Sequence, residues 1–243
     1  MRLAHLAPDT PAMDVYLYSF GDPGARVVLR HVSYGTVSAY QTVPAGDYSV
    51  AVRAAGKAAS SPPVLSASTW VRAGRAYTAA AVGPGSGLKL QVIGDDLTTP
   101  AGRALVRVVQ ASLKQPRVTV SWNGKVIAGQ LSFPSVTSYQ AVPPGTQHVT
   151  VTAGSGHAAS AVTLAEGSID TLVVLDGAKG LEVADLVDAA GSSQLPRGGA
   201  ATGFGGTAPH GPGSPLPWLT VIAAGIVLAA GGGLGLLRRR GSG

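Results

Sequence analysis

Much of the chain alternates bulky apolar residues with small or polar ones at a period of two. The alternation is clearest in residues 15–18, 48–53, 118–122 and 148–152, as in His148-Val-Thr-Val-Thr152. Successive side chains of a strand point to opposite faces of a sheet, so this pattern is typical of half-buried antiparallel strands. About seven such strands in each stretch of roughly 90 residues predict an all-β protein.

Turn residues separate the predicted strands. Asn123-Gly124 indicates a two-residue hairpin, since both residues tolerate positive φ. Pro44-Ala-Gly46 and Pro143-Pro-Gly145 predict tight turns before the following strand, with proline fixing φ and glycine supplying the left-handed position. The segment Gly83-Pro-Gly-Ser-Gly87 lacks the lysine and helix of a phosphate loop and is interpreted as a hairpin loop.

The chain repeats itself at an offset of 99 residues. Residues 32–46 align with residues 131–145, and five residue types coincide: Tyr40 with Tyr139, Gln41 with Gln140, Val43 with Val142, Pro44 with Pro143 and Gly46 with Gly145. Upstream, the segment from Arg2 aligns with the segment from Arg107. Two copies of one domain are therefore predicted, the first over residues 1–97 and the second, more divergent, over residues 104–188.

The predicted fold is two tandem antiparallel Greek-key β-sandwich domains, followed by one C-terminal transmembrane α-helix. The strand number fits either an immunoglobulin-like or a transthyretin-like topology. The chain has no cysteine, which excludes disulfides, thiolate zinc sites and cysteine nucleophiles. The net charge of +6 falls to +3 without the C-terminal arginines, and the remaining basic residues are scattered, so no nucleic-acid partner is expected.

The C-terminal region has the pattern of a membrane anchor. Residues 189–217 are rich in glycine and proline and predict a disordered stalk. The twenty residues from Trp218 to Leu237 carry no charge, enough as a helix to span a hydrocarbon core and contact membrane lipid. The tail, residues 238–243, begins with three arginines that favour a cytoplasmic location of the tail: Arg238, Arg239 and Arg240. This topology is a single-pass protein of the cell membrane with both sandwich domains extracellular.

That orientation depends on how the chain is exported. No long apolar segment lies between Met1 and the first predicted strand, so no signal peptide is recognised. Either a signal peptide is encoded upstream of Met1, or the C-terminal helix inserts by itself as a tail anchor. The first alternative is favoured because the first strand begins almost at Met1. A tail anchor would leave the domains inside the cell.

Three motifs of the first copy resemble the DUF4397 domain: the opening Arg2-Leu-Ala-His-Leu-Ala-Pro-Asp9, Pro11-Ala-Met-Asp-Val-Tyr16, and Tyr34 to Tyr48 with its Val-Pro-Ala-Gly turn. This is a family of unknown function found in bacterial cell-surface and exported proteins. The resemblance implies a location and a fold rather than an activity. The second copy has Gln110-Ala-Ser-Leu113 in place of the opening motif and lacks the Asp-Val-Tyr motif.

The stalk and anchor are similar to a sortase cell-wall sorting signal. Leu195-Pro196 begins a Leu-Pro-Arg-Gly-Gly segment in which glycine replaces the usual threonine, and Thr202-Gly203 supplies a Thr-Gly pair further on. The resemblance implies a sortase and a cell-wall polymer as partners, with attachment to the cell wall. The alternative is a plain flexible stalk that lifts the domains off the membrane.

Few side chains suggest chemistry. His5, Asp9 and Asp14 lie close together in sequence and could bind a metal or act as acid and base. Asp95-Asp96 and the segment 185–188 recur at the ends of the two copies and could hold calcium, although solvated strand ends are the favoured interpretation. No catalytic, cofactor or metal site is predicted.

The aromatic residues that recur in the repeat have two interpretations. They either fill the sandwich cores or form a tyrosine corner, or else they build an exposed platform for sugars; they are Tyr34, Tyr40, Tyr48, Phe133 and Tyr139. We therefore expect a non-enzymatic, membrane-anchored or wall-attached surface protein that displays two domains as a spacer or adhesion module. The alternative function is a carbohydrate- or wall-polymer-binding module that uses exposed tyrosines. The extracellular ligand is not specified by the sequence.

Overall fold

A computed structural model describes residues 1–154 and 156–190 of the chain. These residues are almost entirely strands and turns, with no α-helix among them. No helix within this part of the chain is long and apolar enough to cross a membrane. The helix expected over residues 218–237, the tail 238–243 and nearly all of the stalk lie outside the described residues.

The first copy forms seven strands. They are β1 (Arg2–Leu6), β2 (Met13–Ser19), β3 (Ala25–Val32), β4 (Gly46–Ala54), β5 (Leu65–Val71), β6 (Ala76–Val82) and β7 (Lys89–Asp95). A single 3-10 turn, Gly85–Gly87, connects β6 to β7, which pair antiparallel as the hairpin interpretation of this glycine-rich loop predicts.

The second copy repeats these strands and adds two short ones. They are β8 (Ala104–Gln110), β9 (Arg117–Trp122), β10 (Lys125–Ser132), β11 (Ser135–Val136), β12 (Gln140–Val142), β13 (Gly145–Ala153), β14 (Gly156–Leu164), β15 (Ile169–Gly177) and β16 (Gly180–Ala189). The additional strands β11 and β12 both pair with β8.

The two copies have the same sheet topology, and each copy contributes two sheets. The first copy has a sheet of order β1-β6-β7 and a second of order β3-β2-β4-β5. In the second copy the corresponding orders are β8-β15-β16, extended by β11 and β12 beside β8, and β10-β9-β13-β14. The predicted internal repeat therefore extends to every principal strand and its neighbours.

One detail of the predicted fold is wrong, because the sandwiches are not purely antiparallel. Strand β1 pairs parallel with β6, and β8 pairs parallel with β15. After β1 the chain crosses to the other sheet, forms β2 to β5 there, and returns with β6 running in the same direction as β1. A parallel pair needs such a long crossover, which the local period-two pattern does not reveal.

Each copy encloses its own apolar core. In the first copy the core includes Leu17, Tyr48 and Val50, and in the second it includes Trp122, Val149 and Leu172. The hydroxyl of Tyr48 donates to the backbone oxygen of Pro44, 2.8 Å away and four residues earlier, which is the bond of a tyrosine corner. Tyr48 thus combines two of the roles considered for the recurring aromatic residues, core packing and a tyrosine corner.

The predicted Asn123-Gly124 hairpin is also present. Trp122 pairs with Lys125, and both turn residues have positive φ, 48° for Asn123 and 79° for Gly124. These angles belong to the type I′ turn that a right-twisted two-residue hairpin favours. The Asn123 side chain also accepts the backbone N–H of His148 at 2.8 Å, which ties the turn to the neighbouring strand β13.

A third apolar cluster joins the two copies. It contains Ala4, Leu6, Ala80 and Val82 from the first copy, packed with residues of the second that include Val109, Val173 and Leu175. Strands β1, β6, β8 and β15 thus contribute both to a sandwich core and to the contact between the copies. All the described residues belong to one compact unit.

Candidate functional site at the junction of the two copies

The contact between the copies contains two buried arginines at corresponding positions. Arg2 begins β1, and its Nε donates to Thr78 Oγ1 at 2.8 Å within the first copy. Its Nη2 donates to Asp188 Oδ1 of the second copy at 2.6 Å. Only 4% of Arg2 is exposed, so its charge is satisfied inside the protein.

Arg107 of the second copy makes the reciprocal contacts. Its Nε donates to Thr171 Oγ1 at 2.9 Å within its own copy, and its Nη2 donates to Asp95 Oδ1 of the first copy at 2.5 Å. Arg107 is 3% exposed. Each arginine therefore binds a threonine of its own copy and an aspartate of the other.

Each aspartate is also held by two hydroxyls of its own copy. Asp95 Oδ2 accepts from Thr78 at 2.7 Å and from Tyr40 at 2.8 Å. Asp188 Oδ2 likewise accepts from Thr171 at 2.5 Å and from Tyr139 at 2.6 Å. We call these eight residues, four from each copy, the junction network: Arg2, Tyr40, Thr78, Asp95, Arg107, Tyr139, Thr171 and Asp188.

The two tyrosines of the junction network also contact the arginines through their rings. The guanidinium carbon of Arg2 lies 4.6 Å from the ring centre of Tyr40, and that of Arg107 lies 4.6 Å from the ring centre of Tyr139. Burial, reinforced by the adjacent carboxylates, raises the pKa of both tyrosines above the ordinary value. Both hydroxyls therefore keep their protons and act as donors to the aspartates.

The contacts of the junction network follow an approximate two-fold relation. Exchanging the first copy for the second converts every hydrogen bond within the network into its counterpart, and the paired distances agree to within 0.2 Å. Identical chains make this kind of contact in an isologous dimer. Buried ion pairs contribute little net stability compared with apolar packing, but removing one partner is costly, so the network favours one particular pairing of the copies.

The expected role of the recurring acidic residues is corrected here. Asp95 and Asp188 are not solvated strand ends, since each is only 7% exposed and has its carboxylate inside the junction. The reason is that each lies at the end of an edge strand whose face is covered by the other copy. The spacing of 93 residues from Thr78 to Thr171 and from Asp95 to Asp188 was the available sequence signal.

His5 supports the loop that follows β1. Its Nδ1 accepts the backbone N–H of Ala7 at 3.4 Å, and its Nε2 lies 3.4 Å from the backbone oxygen of Pro11 and 3.2 Å from Thr10 Oγ1. An acceptor at Nδ1 and a donor at Nε2 define a neutral ring. Burial lowers the pKa of His5 below its usual 6.5.

Gln110 occupies the position of His5 in the second copy and makes corresponding bonds. Its Oε1 accepts the N–H of Ser112 at 3.1 Å, and its Nε2 donates to the backbone oxygen of Gln115 at 2.7 Å. An amide thus replaces a neutral imidazole with one acceptor and one donor. The replacement indicates that His5 has a structural role in holding its loop.

Asp14, the third residue of the sequence-predicted cluster after His5 and Asp9, is bound by other groups. Its carboxylate accepts from the backbone N–H groups of His31 at 2.8 Å and Gly56 at 3.1 Å, and it lies 3.4 Å from Arg30 Nη1. These backbone bonds and the nearby charges outweigh burial and lower the pKa of Asp14. Asp9 is exposed. Within residues 1–154 and 156–190, no three histidine or carboxylate side chains are arranged to hold a metal ion.

The other recurring aromatic residues do not form one exposed platform. Tyr48 is buried in the core, and Tyr34, Tyr40, Phe133 and Tyr139 are half-buried. The hydroxyl of Tyr34 donates to the backbone oxygen of Ala111 at 2.7 Å and accepts the N–H of Asp176 at 2.9 Å, so it too connects the copies.

The remaining sequence-predicted residues belong to the C-terminal region. The candidate sorting residues Leu195, Pro196, Thr202 and Gly203, the anchor limits Trp218 and Leu237, and the arginines Arg238, Arg239 and Arg240 all lie outside the described residues.

We expect Arg107→Met to destabilise the protein by about 3–5 kcal/mol, because it leaves the buried carboxylate of Asp95 without its cation. Adding Asp95→Asn removes the unpaired charge and should restore a large part of that loss. Urea unfolding of the two single variants and the double variant measures the coupling. The exposed pair Arg26 and Asp22, 3.4 Å apart, is the control and should give a coupling of no more than about 1 kcal/mol. Equal coupling at both pairs would contradict a special role for the junction network.

Stability should decrease as the pH falls through the ordinary pKa of histidine, because the lowered pKa of folded His5 makes the unfolded chain bind the proton more readily. The stabilising effect is complete above pH 6.5 and is lost below it. His5→Gln, which reproduces the residue of the second copy, should reduce this pH dependence. Urea unfolding between about pH 8 and pH 5 tests it. The exposed His157, changed to Gln, is the control and should leave the pH dependence intact.

A comparison with models of protein families identifies the family of this chain. The model of the domain of unknown function DUF4397 matches the chain twice, over residues 1–121 and residues 104–204. No curated protein gives a significant match. The second match begins at Ala104, the first residue of β8, where the strand order of the first copy starts again. The chain therefore belongs to the DUF4397 family and carries two tandem copies of its domain.

Proposed function

We propose that this is a non-enzymatic surface protein that displays two joined β-sandwiches as a spacer or adhesion module. The observation that carries the proposal is the junction network. Two domains held together by buried, oriented bonds form a stiff unit rather than two independently moving domains on a flexible linker. A stiff unit is suited to holding a binding surface at a fixed distance and orientation.

The described polar interior supports a structural role. His5 binds its own loop, Asp14 binds backbone N–H groups, and Asp95 and Asp188 bind the arginines and hydroxyls of the junction network. A catalytic site needs a nucleophile, acid or base that faces a substrate cleft. These buried titratable groups instead have protein partners. Hydrolysis of a cell-wall or glycan substrate by the purified protein would contradict this part of the proposal.

The location and finer topology are part of the same proposal. The chain is anchored by a helix over residues 218–237 with its arginines in the cytoplasm, and the two sandwiches are extracellular. Each sandwich is a Greek-key type of the immunoglobulin-like or transthyretin-like class. Attachment to the cell wall through a sortase is the alternative to permanent residence in the membrane.

Deleting residues 218–243 should release the protein from the membrane fraction into the medium, because the apolar helix and its stop-transfer arginines are removed together. Fractionation followed by immunoblotting measures the release. Leu195→Ala with Pro196→Ala is the matched variant, and it should abolish wall attachment only if a sortase processes the chain. A deletion variant that stays with the membrane would contradict the anchor.

Carbohydrate binding is a second candidate function, supported by a different set of aromatic residues from the recurring ones. Phe20, which directly follows β2, is 81% exposed, and Trp70 in β5 of the same sheet is 55% exposed. Phe20 N–H donates to the backbone oxygen of Asp47, and Asp47 pairs with Trp70, so the two aromatic residues flank one position of β4. Tyr18 stacks on Tyr16 with ring centres 6.1 Å apart.

The second copy does not repeat this aromatic surface. Asn123 corresponds to Tyr18, and Thr163 corresponds to Trp70, as the shared strand register shows. Flat, exposed aromatic rings pack against the apolar faces of sugar rings, and nearby hydroxyl and carboxylate groups bond the sugar hydroxyls. The first sandwich is therefore the candidate glycan-binding domain of the pair.

Trp70→Ala should weaken binding to a wall polysaccharide about tenfold or more, since stacking on an exposed indole is lost while the fold is retained. Pull-down with isolated cell-wall polymer and a glycan array measure the effect. Thr163→Ala, at the corresponding position of the second copy, is the control and should leave binding unchanged. Absence of glycan binding by the unmodified protein would rule out this candidate.

A further inference from the structure

We infer that the surface joining the two copies also pairs between two molecules, so that the partner of this surface is a second copy of this chain. In such an exchanged dimer, the first sandwich of each molecule packs on the second sandwich of the other molecule, which gives two interfaces. The inference goes beyond the proposed function, because it rests on the junction network alone and needs no anchor.

The exchanged pairing would reproduce every contact of the internal one. Arg2 contacts Asp188 and Arg107 contacts Asp95 through groups that belong to different copies, and neither bond uses the segment that connects them. The apolar residues of the contact likewise come from β1 and β6 on one side and β8 and β15 on the other. The two forms thus differ only in which molecule supplies each half.

The connection between the copies is short and begins directly after Asp95 of the junction network. It comprises residues 96–103, between the end of β7 and the start of β8. The side chain of Arg103 donates to the backbone oxygens of Ala141 and Val142, which belong to its own copy. A short link gives a high effective concentration of the internal partner and favours internal pairing, whereas a high concentration of the protein favours pairing between molecules.

Buried charges restrict what can replace the internal partner. If the copies separate, the first exposes Arg2 and Asp95, and the second exposes Arg107 and Asp188. Burying these charged groups again is costly unless the new partner supplies opposite charges. An unrelated apolar surface supplies no such charges and is rejected, whereas the equivalent surface of another molecule supplies both. The partner is therefore selected by chemistry to be the same chain.

The exchange can be tested with full-length chains that carry lesions in different copies. One chain carries Arg2→Met, which removes the closest cation of Asp188 and leaves only Arg107 at 3.6 Å. The other carries Asp188→Asn, which removes the carboxylate that pairs with Arg2. In a mixed exchanged dimer, one interface is unmodified and the other joins Met at position 2 to Asn at position 188, so no buried charge is unpaired. Removing both partners of a buried pair is far less costly than removing one.

We expect the two differently tagged chains, when expressed together, to co-purify about tenfold or more above the level of two unmodified chains. Their mass in detergent should correspond to two chains. In the matched control, both tagged chains carry Arg2→Met and Asp188→Asn together. Internal pairing then leaves no charge at this position, so co-purification should return to the level of the unmodified chains. A second control pairs two Arg2→Met chains, which remain mismatched in either arrangement and should gain nothing.

A variant that fails to fold alone does not spoil the test, since rescue by the complementary chain is itself the expected result. A second variant deletes the exposed residues Thr98 and Thr99 from the link, which strains internal pairing and should raise the fraction of two-chain species in an otherwise unmodified protein. If the complementary chains do not associate and the shortened link gives only single chains, the inference is wrong. Either outcome is independent of where the protein is located.

Discussion

Two arginine–aspartate pairs, each spanning from one copy of the domain to the other, determine how this molecule is put together. Arg2 and Arg107 are almost completely buried, and each would be prohibitively costly there without its partner carboxylate. The tyrosines and threonines around them orient the carboxylates, and the small apolar residues of β1, β6, β8 and β15 allow the sheets to approach. Because the pairs are reciprocal, the junction defines the relative orientation of the sandwiches as well as their proximity.

The two copies preserve bonding patterns more strictly than residue types. His5 and Gln110 both hold the loop after the first strand of their copy through one acceptor and one donor. Tyr48 and Gln147 show a similar replacement, since each donates to the backbone oxygen of the proline four residues before it. The divergent second copy has therefore kept its turns by different chemistry, and side chains in such positions are poor indicators of catalysis.

Local patterns in the sequence predicted much of the strand structure, the Asn123–Gly124 hairpin and the tyrosine corner, because these depend on residues close together along the chain. The parallel pairing of β1 and β6 was missed, since β6 is buried on both faces and its run of alanines shows no period of two. The junction network was missed for a related reason. Its partners Arg2 and Asp188 are 186 residues apart. Each residue of the network recurs in the second copy, but recurrence alone does not tell which residues of the two copies bind each other.

The position of β1 has a consequence for the order in which the molecule is assembled. This strand pairs with β6, about 76 residues later in the chain. Its arginine, Arg2, finds its carboxylate partner only at Asp188, 186 residues away. Long-range contacts of this kind form slowly, because loop closure precedes the energetic gain. During synthesis, which starts at the N-terminus, the first sandwich therefore stays incomplete until β6 has been made. The two copies can bind each other only when nearly all of the described residues have been made. The contact between the two copies is therefore among the last parts of the fold to form.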